Sequence, residues 1–257
     1  MTRIALLGCG NIGNIIARHA EGLDIVAVFD RDPAAAERLA ARVGARACAT
    51  FDELLASDYR VLVEAASVQA VAQYGEAALR RGRDLVVLSV GALADAALRE
   101  RLTTLARQQG CRLHIPSGAV FGLDNLKVGR LSRLDTLRLR TTKPAAALGG
   151  EPVPERRLLF EGTAAECIRH YPRNINVAVA LGLAAGREVM VEIWVDPAAT
   201  RNRHEILAQG EFGEVRIDVQ NVPSPDNPRT SYLAALSVLA LLRGLGRSAA
   251  GGDLRAG

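Results

Sequence analysis

Three glycines and an acid carry the first legible chemistry: Gly8-Cys9-Gly10-Asn11-Ile12-Gly13, then Asp30. Arg3 to Leu7 is a short apolar run into Gly8, and Ile12, Ile15 and Ile16 recur behind the loop at helical spacing. Ile25 to Phe29 reads as a second buried strand that closes on Asp30. Strand, glycine turn, helix, strand and acid, with about twenty residues from glycines to acid, are what a dinucleotide site needs. Gly8 permits the tight turn, Gly10 lets backbone approach a pyrophosphate, and Gly13 lets the helix lie close on the strand. The helix start, with Asn11 and Ile12, offers N–H groups and a positive dipole end to phosphates. Asp30 stands where a carboxylate can accept both adenosine ribose hydroxyls, and its charge favours NAD. Arg31 beside it softens the rejection of a 2′-phosphate, so NAD binding with NADP tolerated is expected. The same pattern also fits a plain βα turn with an incidental Asp.

Four histidines are candidates for proton transfer. His19 shares a helical face with isoleucines, His114 sits in a short strand, and His170 ends a helix where a cation suits the dipole. His204 differs, lying in the polar stretch Asp196 to Glu205, expected to be a loop entering a strand. It could act as acid or base, and the pattern equally fits a surface histidine at a strand start. If it acts, activity is expected to rise as a group in the ordinary histidine range loses its proton. The run Thr141-Thr142-Lys143-Pro144 ends a strand, where Lys143 supplies a cation to a ligand or is a solvated turn lysine. Asn174 or Asn176 is a helix N-cap or an amide aimed at a ligand. The cysteines Cys9, Cys48, Cys111 and Cys167 form no CxxC pair and no zinc spacing, so buried free thiols are expected and no metal.

The elements that must position these residues fall into two patterns. Residues 1–115 alternate apolar strands with helices: strands at 61–63, 85–88 and 111–115, helices at 33–43, 51–56, 67–79 and 92–109. That is α/β, a Rossmann-type doubly wound parallel sheet covered on both faces, with ligands beyond the strand C-termini. Small residues sit there, among them Ala66 after the strand at 61–63 and Ala119 after Pro116. Residues 116–226 show period-two runs, as in Leu137/Leu139 and Val189 to Val195, with helices at 163–170 and 176–185. They read as a second α+β domain with an antiparallel or mixed sheet. Asn227-Pro228 is expected to cap and open a last helix to Arg243, apolar nearly all round. Within 227–257, that helix should pack back on the first domain.

The 257 residues suit one large domain or two modest ones, and 49% hydrophobic content argues against disorder. No apolar run spans a membrane and the chain enters a strand directly, so a cytoplasmic protein is expected. The net charge of +4 is spread out, and aromatic residues are only 4%, which disfavours nucleic acid and suits a small anionic ligand.

Several segments together resemble the L-aspartate dehydrogenases: 115–119, Thr141 to Pro144, 174–178, Asp196-Pro197 with Arg201 to Glu205, and Pro225 to Tyr232. The similarity runs in order over nearly the whole chain, although the segment between Thr142 and Phe160 is shorter than the family pattern. The resemblance implies NAD(P)-dependent oxidation of L-aspartate to iminoaspartate, which hydrolyses to oxaloacetate and ammonia or feeds pyridine nucleotide biosynthesis. It implies that His204 matches the catalytic histidine and that Ala119 and Asn174 match dinucleotide-contacting positions. Lys143, Asn176 and Arg201 are candidate carboxylate donors. A homodimer is the expected assembly. An imine reductase of the dihydrodipicolinate-reductase type and a dinucleotide-sensing regulatory protein are the competing readings, and the absence of a helix-turn-helix argues against the second.

Overall fold

A computed structural model describes residues 1–145, 154–171 and 175–248. The chain divides into two compact units, Met1–Pro116 with the segment from Ala235, and Ser117–Ala234.

The first unit is built on a six-stranded sheet in the order β3-β2-β1-β4-β5-β6. Its strands are β1 (Thr2–Leu7), β2 (Leu23–Phe29), β3 (Arg46–Ala47), β4 (Val61–Glu64), β5 (Asp84–Val87) and β6 (Leu113–His114). Every pairing is parallel. Parallel pairing needs crossover helices on both faces. They are α1 (Asn11–Arg18), α2 (Pro33–Val43), α3 (Phe51–Leu55), α4 (Val68–Arg80) and α5 (Ala96–Gln108). Local chemistry fixes their starts. Asp32 caps α2 ahead of Pro33, and Thr50, Ser67 and Asp95 cap α3, α4 and α5 through their side-chain oxygens. The expected helix at 92–109 is divided by that Asp95 cap: a 3₁₀ turn, Val90–Ala94, precedes α5. Ile4, Leu6, Val28 and Val63 are among the strand residues that build the core.

The second unit carries a mixed sheet in the order β11-β10-β7-β9-β8. Its members are β7 (Leu134–Pro144), β8 (Arg157–Thr163), β9 (Met190–Asp196), β10 (Arg203–Gly210) and β11 (Gly213–Gln220). The pair β7–β9 is parallel and the others are antiparallel. The chain between those two parallel strands holds α6 (Ala164–His170), closed by a Thr163/Glu166 capping box, and α7 (Asn176–Ala185). The period-two pattern is borne out. Leu139, Val191 and Ile206 are buried on one face, while Arg138 and Arg140 face the other way and grip Glu192 at 3.2 and 2.7 Å.

The last helix starts later than expected. Asn227-Pro228 opens β13 (Asn227–Ser231), which pairs with β12 (Pro223–Ser224); a two-stranded edge tolerates a proline that donates no N–H. Helix α8 then runs from Tyr232 to Ser248. Val238, Leu239 and Leu242 join Ile4, Leu6 and Leu23 in the first unit's core. Burial is one-sided, because Leu236 is exposed on the far face. Among the described residues no helix is long and apolar enough to cross a membrane, and no cluster of His, Cys, Asp and Glu could hold a metal.

Candidate active site

In the first unit the glycine loop, the β2 terminus and the β4–α4 turn enclose a groove of about 150 Å³. Gly8, Gly10, Asp30, Arg31, Ala66 and Tyr74 are among its walls. A larger cleft of about 950 Å³ lies at the other end, against Thr2, Arg60 and Arg83 where β1, β4 and β5 begin. Open parallel sheets take ligands at the carboxyl ends of their strands, which makes the smaller groove the candidate.

The glycines are required by contact. Gly8 has φ +107°, and a Cβ there would lie 2.6 Å from the Ala65 carbonyl oxygen. A Cβ on Gly13 would lie 2.3 Å from the Gly8 oxygen, so helix α1 rests directly on the turn. Gly10 faces open space and precedes the first turn of α1, whose N–H groups are directed outward. Asn11 and Ile12 are half-buried in that turn. Asn14 holds the loop by donating to the Cys9 and Gly10 carbonyls at 2.8 and 2.9 Å. Asp30 accepts from the Cys9 N–H at 2.7 Å and the Asp32 N–H at 2.9 Å, which fixes its carboxylate at the groove wall. Tyr74 stacks against Phe51 at 4.2 Å and meets Phe29 edge-on, giving the groove an aromatic side. The cradle therefore fits a dinucleotide: backbone N–H groups for phosphates, a carboxylate for a ribose, and small residues between. Burial and the Asp30 charge push the Cys9 thiol up to about 12, so the cysteine inside the loop is inert.

Beneath this groove lies Glu64, 1% exposed at the end of β4. Burial pushes its carboxyl upward against the pull of the Ser89, Ala66 and Ser67 donors.

The second unit holds the other candidates. His204 is not in a loop. It is the second residue of β10, between Thr141 of β7 and Val219 of β11, and is 8% exposed. Its neighbours in sequence are polar because alternate residues of that strand face the other way: Arg203 pairs with Asp218 at 2.6 Å while His204 points inward. His204 Nδ1 lies 3.0 Å from the Thr141 hydroxyl. Burial, with the Lys143 charge added, lowers its pKa to about 4. The imidazole is thus neutral at physiological pH, and an Nδ1–H donated to Thr141 leaves Nε2 with the basic lone pair. Lys143 is half-buried on β7, and burial pushes its ammonium below the usual lysine range. Arg201 is exposed in the turn before β10. Asn176 is the first residue of α7; the N-cap is Ile175, with no side-chain cap, so the capping role expected of an asparagine is not taken by Asn176. Asn174 lies outside the described residues.

Ala119 is held by a residue the sequence did not flag. Asn221 Nδ2 donates to the Ala119 carbonyl at 3.0 Å, its N–H donates to the Asn202 carbonyl at 2.8 Å, and its Oδ1 accepts from the Ser231 hydroxyl. One buried amide thus joins the Ala119 turn, the approach to β10 and the end of β13. Asn14, Glu64 and Asn221 escaped the sequence reading, and Thr141 entered it only as part of the run to Pro144, with no role of its own. Only Glu64, an acid closing an apolar strand, left a trace that could have been used. The other histidines have structural surroundings: His19 is the C-cap of α1, His114 lies 3.3 Å from Asp84, and His170 packs near Phe160.

With the geometry in place, likeness to known proteins is decisive. Residues 124–245 match the family model for the aspartate dehydrogenase C-terminal domain, and 8–116 match that for the homoserine dehydrogenase NAD-binding domain. The L-aspartate dehydrogenase of Methanospirillum hungatei is 56% identical over 245 residues, covering 95% of this chain and 97% of the relative. The chain belongs to the L-aspartate dehydrogenase family. A second relative in that family, from Methanocaldococcus jannaschii, is 39% identical with the same coverage. The crystal structure of aspartate dehydrogenase from Thermotoga maritima superposes with a TM-score of 0.82 at 28% identity, covering all of both chains. An amine dehydrogenase from Mycobacterium smegmatis, 15% identical with a TM-score of 0.64, shares the fold. This member of the aspartate dehydrogenase family is an oxidoreductase that uses NAD(P).

Proposed function

We propose that the chain oxidises L-aspartate to iminoaspartate with NAD, accepting NADP less well, and that the imine then hydrolyses to oxaloacetate and ammonia. The observation that carries this reading is the 56% identity to an L-aspartate dehydrogenase along 95% of the chain. The first unit would hold the dinucleotide: Gly8, Gly10, Asn11, Ile12 and Gly13 around the pyrophosphate, Asp30 on the adenosine ribose, Ala66 along the groove. Ala119 and Asn174 are assigned as further dinucleotide-contacting positions on the family resemblance. When bound, the nicotinamide accepts the hydride that leaves aspartate Cα.

The protein's own work is to orient and to move protons. His204 Nε2, neutral and buried, takes the proton that the substrate ammonium releases as the C=N bond forms, or deprotonates the water that adds to that bond. Thr141 positions the ring. Lys143, Arg201 and Asn176 are assigned to the two substrate carboxylates, with Lys143 best placed because its charge already reaches His204. The assembly is assigned as a homodimer, which light scattering tests; a monomer at working concentration contradicts it.

Absorbance at the nicotinamide band, followed with aspartate and either dinucleotide, tests the activity. Aspartate-dependent reduction of NAD is the expected result. No reduction with either dinucleotide, or turnover only of a cyclic imine in the reverse direction, removes the reading.

A further inference from the structure

The Glu64 carboxylate has donors on every side and no cation among them. Oε1 accepts from the Ala66 N–H at 2.8 Å, the Ser67 N–H at 2.9 Å and the Ser89 hydroxyl at 2.7 Å. Oε2 accepts from the Leu88 N–H at 3.1 Å and the Ser89 N–H at 2.9 Å. These partners belong to two different turns. Ala66 and Ser67 lead into α4, where Ser67 is itself the N-cap. Leu88 and Ser89 follow β5 and lead into the 3₁₀ turn. The first turn in addition touches the glycine loop, since the space beside Gly8 Cα is filled by the Ala65 carbonyl and Ala66 Cα. One buried side chain therefore links β4, the turn before α4 and the turn after β5, and the first of these turns lies against Gly8.

We propose that Glu64 is the positioning residue of the dinucleotide groove: its carboxylate clamps the β4–α4 and β5 turns together and so holds Ala65 and Ala66 against the Gly8 loop at the separation the cofactor requires. This rests on placing the dinucleotide in that groove. Only an acceptor-only group fits the five donors. An amide must turn its NH₂ either to the Ala66 and Ser67 N–H groups or to those of Leu88 and Ser89. Either orientation leaves two part-buried backbone donors facing a donor, of which only the Leu88 N–H has a second acceptor, the Glu64 carbonyl at 3.2 Å. Shortening the side chain to Asp keeps the charge but cannot reach both turns.

The test uses the full chain. In Glu64→Gln, amide hydrogen exchange without cofactor should quicken about tenfold or more at 66–67 and 88–89, with the second unit's sheet unchanged. At a temperature well below unfolding, the NAD dissociation constant measured by calorimetry should rise about tenfold or more, while kcat at saturating NAD and aspartate changes less than about threefold. That split separates a positioning role from a general loss of folded protein, which would lower kcat through the active fraction and leave affinity intact. Ser89→Ala removes one side-chain donor and should move exchange and affinity the same way by about threefold; it carries the test if Glu64→Gln does not fold. Asp30→Ala is the reference. If it leaves NAD affinity unchanged, the placement of the dinucleotide fails. If it weakens NAD while Glu64→Gln or, failing that, Ser89→Ala binds NAD like wild type, the clamp fails and the placement stands.

Discussion

His204 has given up water for surroundings that cannot stabilise its charge: strand neighbours on both sides and the Lys143 ammonium. Its native pKa of about 4, against 6.5 for an ordinary histidine, has a thermodynamic consequence. Between those values the unfolded chain binds a proton that the native chain refuses. Stability is therefore lost as pH falls from about 6.5 to about 4, by up to about 3 kcal/mol from this residue. Denaturant titrations at neutral and acid pH should show a smaller acid loss in His204→Gln than in wild type; equal losses would contradict a buried neutral imidazole. The same shift corrects the expected activity profile. kcat/KM should show no rise from His204 near pH 6.5, because the imidazole is already neutral there. Replacing His204 by Ala should lower kcat by about a hundred- to ten-thousand-fold while NAD still binds. Stopped-flow turnover and calorimetry on folded variant check both halves, and near-normal turnover would pass the proton-transfer role to Lys143. Asp30 has a separate signature. With the dinucleotide placed as proposed, its carboxylate would repel a 2′-phosphate, so Asp30→Ala should bring the NAD and NADP dissociation constants closer together, with Arg31 left beside the added charge.

Among the elements, α8 shows how a helix divides its labour. Val238, Leu239 and Leu242 pack into the first unit's core, and Leu236 stands outside it. Leu242→Ala should cost about 2–5 kcal/mol, because it opens a cavity against strands that cannot collapse into it. Leu236→Ala should change stability by less than about 1 kcal/mol. Equal effects in a thermal melt would mean that the helix is not docked by this face. Its composition made a buried helix legible in the sequence, but its start was not. Asn227-Pro228 carries the local signals of a helix entry, and the backbone there instead pairs with Pro223 and Ser224. A hairpin partner outweighed a capping preference worth about 1 kcal/mol.

For the whole molecule, NAD at about a hundred times its Kd should raise the unfolding free energy by about 2.7 kcal/mol, seen as a higher Tm. A melt unmoved by NAD would count against dinucleotide binding by the native chain. The sequence by itself determined what local rules govern. Glycine spacing fixed the turn before α1, caps at Asp32 and Ser67 fixed helix starts, and period-two patterning separated a second sheet from the parallel one. Ordered motifs also carried the family. Tertiary structure alone decided which polar residues are buried and what they touch. His204 looks solvated among Arg203 and Glu205, yet lies inside, because a strand sends alternate side chains to opposite faces and His204 stands on the buried one. Glu64 meets donors 24 and 25 residues away at Leu88 and Ser89, and Asn221 reaches 102 residues back to Ala119. No local pattern encodes such pairs, because their free energy comes from burial that exists only once the strands have assembled.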